Sequence, residues 1–152
     1  MTTLEVNGVA RRACSECGRI HYVDPKVGVG VAVFREEKLL LVRRLMNPGR
    51  GAWALPGGYV DAGEEPRAAA ARETFEEAGV EVAVGDVIDV FANPPEDGGA
   101  LFVLFAAEWI AGEPRHGDDC DGAEFFGRPD LPTLAFASTA AVVARWPGAG
   151  GG

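Results

Sequence analysis

The stretch from Gly58 to Val80, GYVDAGEEPRAAAARETFEEAGV, constrains the fold of this chain more than any other part of it. A glycine-rich turn, Leu55-Pro56-Gly57-Gly58, leads into it, and Gly79 closes it. Pro66 suits the first turn of a helix, where its missing N–H costs nothing. Ala68 to Ala71 favour helix, and Gly79 suits a left-handed stop. Together these signals predict a helix from Pro66 to Ala78. At about 100° per residue, Ala68, Ala71, Phe75 and Ala78 fall on one side, with Glu73, Glu76 and Glu77 on the other. Carboxylates three and four residues apart are neighbours on a helix and repel. A divalent cation reverses the sign of that interaction. Magnesium takes oxygen ligands, keeps several waters and bridges protein carboxylates to substrate phosphates.

An acidic helix face is usually just solvated, but here a glycine turn precedes it and Glu64 is available to pair with Arg72. The spacing of Gly58, Glu64, Arg72-Glu73, Glu76-Glu77, Gly79 and aliphatic Val80 resembles the signature box of the Nudix hydrolases. Every fixed position matches over 23 residues, and only Thr74 stands where the family usually has an aliphatic residue. The flanks are similar too: a strand pair, Trp53-Ala54-Leu55-Pro56-Gly57-Gly58, and a late segment with Glu124-Phe125-Phe126 and Leu134-Ala135-Phe136.

The resemblance implies an α/β (α+β) fold, an α/β/α sandwich with a central mixed sheet and a loop-helix-loop box lining the catalytic cleft. It implies that Glu73, Glu76 and Glu77 ligate Mg²⁺ or Mn²⁺, joined by the carbonyl of Gly57. Gly58, Glu64, Arg72 and Gly79 would be structural, with the Glu64–Arg72 pair pinning the loop to the helix so that the ligands keep their register. The implied reaction is attack by water on a phosphorus of a nucleoside diphosphate linked to a second group. Bound cations neutralise the diphosphate and acidify the attacking water. Glu76 or Glu73 is the candidate general base within the box. Among the acidic residues of the late loop, Asp118 and Asp119 are further candidates, Asp119 first, whereas His116 reads as a surface histidine.

Composition bounds the rest. With 152 residues, a single domain is expected. No apolar run reaches the length of a membrane span, and the N-terminus lacks a signal-peptide core, so the expected location is cytoplasmic with no membrane partner. A net charge of −9 argues against nucleic acid as a partner. It also requires a phosphate site to supply its own cations, from metal and a few arginines.

In chain order, residues 1–13 show no clear periodicity. Cys14-Ser15-Glu16-Cys17-Gly18 offers half of a tetrahedral zinc site. Cys14 to Pro25 resembles the second half of the zinc ribbon that precedes the catalytic domain in NADH pyrophosphatases. No second CxxC follows, which leaves His21, Cys120 or another subunit to complete the set. A reduced, unliganded knuckle is therefore favoured over Zn²⁺, and a disulfide is disfavoured in the cytosol. Residues 1–26 are thus expected as an extension, 27–147 as the Nudix domain and 148–152 as a flexible tail.

Val27–Phe34 and Lys38–Arg43 read as a hairpin around Arg35-Glu36-Glu37. Trp53–Leu55, Val80–Val84, Val87–Phe91, Leu101–Trp109 and Ala123–Phe126 read as further strands, with Leu101–Trp109 central and Gly85-Asp86 a turn. Residues 93–99 and 111–122 read as loops. Ser138 is a fair cap for a last helix ending near Trp146.

Arg43 and Arg44 at a strand end are candidates to meet the anionic substrate, as much as to be merely solvated. Pro95 lies 15 residues beyond Val80, the place where relatives that cleave ADP-ribose tend to carry a proline. Trp53, Tyr59 and Phe91 are the aromatic candidates to stack a base. The motif of the NADH-cleaving relatives is missing. The resemblance therefore favours ADP-ribose or a similar sugar nucleotide. NADH or another dinucleotide, an oxidised nucleotide, and a non-catalytic nucleotide-sensing module stay open as alternatives. Many relatives pair, so a homodimer is the expectation.

Overall fold

The computed structural model describes residues 1–144, without the side chains of Asp97 and Ser138. The predicted helix end at Trp146 and the tail at 148–152 lie outside the described residues. Two sheets form. The smaller has β1 (Thr2–Val6), β2 (Val9–Ala13) and β3 (Ile20–His21) in sequential order. The larger is built from β4 (Val27–Arg35), β5 (Lys38–Arg44), β6 (Trp53–Ala54), β7 (Gly57–Tyr59), β8 (Glu81–Ala92), β9 (Leu101–Ala111) and β10 (Cys120–Phe126). Its order is β10-β5-β4-β9-β8, with β6 on β5 and β7 on β4. The β4–β9 pair is parallel and the others antiparallel, so the sheet is mixed as expected.

Helix α1 (Pro66–Ala78) covers one face of this sheet. Its buried partners are Val29, Val31, Val33, Leu40, Val42 and Phe105, which alternate along their strands as the pleat requires. Helix α2 (Ala137–Ala144) covers the other face, where Val142 packs with Ala32, Leu39, Leu41 and Leu104. Among the described residues no helix is long and apolar enough to cross a membrane.

Several expectations need correction. The middle strand is β4, not Leu101–Ala111, which lies between β4 and β8. Gly85-Asp86 is not a turn but a bulge inside one continuous strand, β8, whose register against β9 slips between Val84 and Val87. Residues 93–99 are not wholly irregular, since Pro95–Asp97 forms a 3₁₀ turn. Strand β10 starts at Cys120, so the acidic loop is shorter than expected. Helix α2 begins at Ala137, one residue before the expected cap.

Residues 1–13 are also structured. Asn7 (φ 51°) and Gly8 (φ 82°) turn β1 into β2. An Asn-Gly pair flanked by strand residues is the strongest short hairpin signal.

The expected β4–β5 hairpin exists but splays. Its described register is Phe34↔Leu39 and Arg35↔Lys38. Further along, β4 pairs with β7 and β5 with β6, so the chain from Trp53 to Tyr59 is held between the diverging strands. That insertion carries the glycine turn to the sheet face where α1 lies.

Candidate active site

The helix of the box is fixed at both ends. Glu65 caps its start, its Oε2 accepting from the Ala68 N–H at 3.0 Å. Gly79 (φ 71°) ends it, its N–H donating to the Phe75 carbonyl. The buried face is Ala69, Ala70, Thr74 and Ala78, which corrects the expected phase: Ala68 is exposed and Phe75 is 49% exposed. Four consecutive alanines leave the phase ambiguous, and only the smallest side chains allow close approach to the sheet. Thr74 joins that face because its hydroxyl donates to the Ala70 carbonyl at 2.8 Å and so buries no unpaired polar group. The rotation brings Glu73 and Glu77 to the rim of the buried face, while Glu76 stays exposed.

The glycine turn closes on this rim. The N–H of Gly57 donates to Glu77 Oε2 at 3.1 Å. A Cβ on Gly57 would run into the Val29 carbonyl, and one on Gly58 would lie 2.5 Å from the Glu73 carboxyl carbon. Glycine is required at Gly57, where the clash is with backbone, whereas a side chain at Gly58 would displace the Glu73 carboxylate.

Arg72 joins the box together. Its Nε and Nη2 grip both oxygens of Glu64 at 2.8 and 2.9 Å, a bidentate pair. Nη1 donates to Glu73 Oε1 at 2.9 Å and to Glu76 Oε2 at 3.2 Å, and Nη2 also reaches the Tyr59 carbonyl at 3.3 Å. Glu64 in turn accepts from the Asp61 N–H. The Arg72 guanidinium and that N–H hold its carboxyl at about 2. The expected Glu64–Arg72 pair is therefore present.

Glu77 is pushed the other way, to about 7. Burial is the main cause; the nearby charges of Glu73 and Asp119 add to it, while the Gly57 N–H and Arg44 oppose it. Burial likewise raises Glu73, against the pull of Arg72.

Asp119 reaches this site on a loop tied to the end of α1. The Arg115 N–H donates to the Ala78 carbonyl at 2.8 Å, and the Gly117 N–H to the Glu77 carbonyl at 3.0 Å. A Cβ on Gly117 would meet the Glu76 carbonyl, so that position too admits only glycine. Cys120, next along, is buried, and burial pushes its thiol up to about 12, with Glu77 and Asp119 adding to the shift. It belongs to the carboxylate site rather than to the Cys14–Cys17 knuckle.

The arginines leave β5 on opposite faces. Arg44 feels Glu77, donates from Nε to the Pro48 carbonyl at 2.7 Å and lies over the Phe136 ring. Arg43 donates from Nε to Asp121 Oδ1 at 2.6 Å and lies over the Trp53 ring, 5.7 Å from its centroid. Asp121 and Phe136 were not singled out from sequence. Asp121 lies at the start of β10, just after the acidic loop, and only the bulge between Cys120 and Gly122, which face Arg44 and Arg43, marks it.

Pro95 starts the 3₁₀ turn, where its carbonyl accepts from the Gly98 N–H. Cys14 and Cys17 sit in the β2–β3 connection, closed by the Gly18 N–H on the Cys14 carbonyl at 2.9 Å.

Among the described residues no three acidic, histidine or cysteine side chains converge closely enough to hold a metal in these rotamers, since Arg72 takes one oxygen each from Glu73 and Glu76. The chemistry of the site nonetheless fits a hard divalent cation. The donors are all oxygen, and Glu77 is half-buried with the like charges of Glu73 and Asp119 acting on it.

The chain is similar to several known proteins. A model of the NUDIX domain matches residues 24–146. An ADP-ribose pyrophosphatase of Methanocaldococcus jannaschii is 39% identical over 117 residues, covering 76% of this chain and 69% of that protein. A MutT-like protein of Streptomyces ambofaciens is 41% identical over 86 residues, and the match spans 57% of this chain and 53% of that one. The crystal structure of a NUDIX hydrolase from Nitrosomonas europaea superposes with a TM-score of 0.87 at 29% identity, over 99% of this chain and 88% of the other.

Proposed function

The chain belongs to the NUDIX domain family, and from that premise we propose that it is a divalent-metal-dependent hydrolase of ADP-ribose or a similar sugar nucleotide. The observation that carries this reading is the carboxylate rim itself: Glu73 and Glu77 pressed against Gly57-Gly58, with Glu76 beside them and Asp119 near enough for its charge to act on Glu77. The 39% identity to an ADP-ribose pyrophosphatase supports the choice of substrate.

Glu73, Glu76, Glu77 and the carbonyl of Gly57 would hold Mg²⁺ or Mn²⁺, which supplies charge neutralisation and an acidified water. Glu64 acts only through Arg72, which keeps Glu73 and Glu76 on one side of the helix. Glu76, the most exposed of the three, and Asp119 are the carboxylates available to take a proton from the attacking water. Water adds across the P–O–P bridge, so ADP-ribose yields AMP and ribose 5-phosphate. Arg44, near Glu77, offers positive charge to the diphosphate, while Arg43 leaves the other face of β5, paired with Asp121 over the Trp53 ring. Residues 27–147 form the catalytic unit in this reading and residues 1–26 an extension whose knuckle carries no zinc.

The test is a panel of ADP-ribose, NADH and an oxidised deoxynucleoside triphosphate incubated with Mg²⁺ or Mn²⁺, the products separated by chromatography. AMP and ribose 5-phosphate from ADP-ribose, lost on chelation, are the expected result. Absence of these products with either metal, or their release in the presence of chelator, overturns the reading.

A further inference from the structure

The turn Cys14-Ser15-Glu16-Cys17-Gly18 takes no part in the proposed hydrolysis. It joins β2 to β3, whose register sets Ala13 opposite Ile20. Cys14 is held on both sides: its N–H donates to the Arg19 carbonyl at 2.8 Å, and its carbonyl accepts from the Gly18 N–H at 2.9 Å. Gly18 (φ 75°) is left-handed, so the chain reverses directly after Cys17. The first and fourth residues of a tight turn have Cα atoms less than about 7 Å apart, which is the span a disulfide bridges. Cys14 and Cys17 stand in that relation. The Cys17 thiol lies within hydrogen-bonding reach of the Cys14 sulfur, as do the N–H groups of Cys17 and Glu16.

Two thiolates are half of a tetrahedral zinc set, but among the described residues no third histidine, cysteine or carboxylate converges on them. Cys120 is buried beside Glu77, and the register sets His21 against Arg12. The pair is also open to reagents, since Cys17 is exposed and Cys14 partly so. Thiol–disulfide exchange needs that access. Charge does not oppose it. Residues 1–26 hold four of the chain's 14 lysines and arginines and three of its 23 acids, so the net charge of −9 comes from elsewhere. Beyond about 10 Å that distant charge is largely screened at 0.1 M salt, and an anionic reagent can approach the turn.

We propose that Cys14 and Cys17 form a reversible dithiol–disulfide couple that exchanges with small soluble disulfides. The Cys14 thiolate attacks one sulfur of R–S–S–R, so a Cys14–S–S–R bond forms and RS⁻ leaves. Cys17 then attacks the Cys14 Sγ, its proton passing to the departing thiolate, and the second RS⁻ leaves as the 14–17 bond closes. Two electrons and two protons pass from the chain to the small disulfide, which ends as two thiols. Under reducing conditions the pair rests as free thiols and its oxidised form is transient, unlike a structural disulfide. The inference is independent of the hydrolase reading, because the turn touches none of the carboxylates.

The test uses the full native chain, purified without chelator and incubated with glutathione disulfide. The reaction is quenched with acid, the chain is unfolded and labelled with a maleimide, and its peptides are mapped by mass. The expected result is one label per chain, on Cys120, in place of three. The peptide holding Cys14 and Cys17 should be lighter by two hydrogens, and dithiothreitol should restore both labels. In Cys17→Ser the second thiol is gone, so glutathione should remain on Cys14 as a mixed disulfide. Thiols that stay free, or two glutathiones per wild-type chain with no 14–17 bond, overturn the couple. Zinc held at one ion per chain or per pair of chains, and lost in Cys14→Ser, overturns it too, since the turn then serves a structural metal.

Discussion

At the scale of the residue, Glu77 carries the most tension. It is the member of the acidic ridge drawn furthest under the chain, held by one N–H from Gly57 and facing Glu73 and Asp119. Replacing it with glutamine keeps the shape and an acceptor for Gly57 but removes the charge that would hold a cation. Glu77→Gln is expected to lower kcat/KM for ADP-ribose by about a hundredfold or more, with no recovery when Mg²⁺ is raised tenfold. Activity within about twofold of wild type would exclude Glu77 as a ligand. Cysteine chemistry separates by the same logic of exposure. Cys17 is exposed, and at Cys14 hydrogen bonding, chiefly from the Cys17 and Glu16 backbone, lowers the thiol pKa. Burial pushes Cys120 up to about 12. A maleimide at neutral pH should label Cys14 and Cys17 in the native chain and spare Cys120, as read by peptide mass mapping. Equal labelling of all three would mean the β10 end is open.

At the scale of the element, the box behaves as three pieces buckled by backbone contacts. The Arg72 fork ties the loop before α1 to the helix, and Gly117 ties the loop after β9 to its last turn. Arg72→Lys keeps the charge but cannot grip both Glu64 oxygens while reaching Glu73 and Glu76. Its expected cost is about 10- to 100-fold in activity, seen mainly as a higher Mg²⁺ requirement. Gly117→Ala forces a methyl against the Glu76 carbonyl. It should lower stability by about 1–3 kcal/mol in a thermal melt and reduce activity further by moving Asp119 away from Glu77.

The sequence made the first buckle legible and hid the second. Glu64, Arg72 and the three glutamates lie at fixed spacings in one short stretch, and helix bounds follow from Pro66 and Gly79. Gly117 lies in an acidic loop with no period, and its meaning depends on a carbonyl some forty residues earlier in the chain. The phase of α1 is hidden for a related reason: four alanines do not distinguish one helix face from another, and the deciding residue, Thr74, is polar by type but bonded to the backbone of its own helix. The Asn7-Gly8 pair marks its hairpin locally, but the flanking strands are mostly exposed and so show almost no apolar alternation.

At the scale of the whole molecule, these local shifts set how stability depends on pH. Glu77 is raised in the fold, from its ordinary 4.5 to about 7. The folded chain therefore holds that proton where the unfolded chain has lost it, so stability falls as pH rises from 4.5 to 7. The difference corresponds to roughly 3 kcal/mol. Glu73 is raised also and acts in the same direction. Glu64, held at about 2 by Arg72, has the opposite sign: its contribution is complete above 4.5 and is lost as pH falls towards 2. Asp121, lowered by Arg43, follows Glu64.

The metal-free chain should then be most stable near pH 4.5 to 5 and weaker at pH 8, where its net charge of −9 adds self-repulsion. A cation bound at the rim supplies the missing charge. Mg²⁺ at a hundred times its dissociation constant should return about 2.7 kcal/mol at pH 8 and little at pH 5, where Glu77 is protonated. Glu77→Gln should remove the penalty without metal, so that the variant melts higher than wild type at pH 8 in EDTA and gains almost nothing from Mg²⁺. Calorimetric melts of both chains at the two pH values, with and without Mg²⁺, measure all of this together. A wild-type chain as stable in EDTA at pH 8 as at pH 5 would mean that burial of Glu77 carries no cost. The claim that this fold holds a destabilised carboxylate ready for a cation would then be lost.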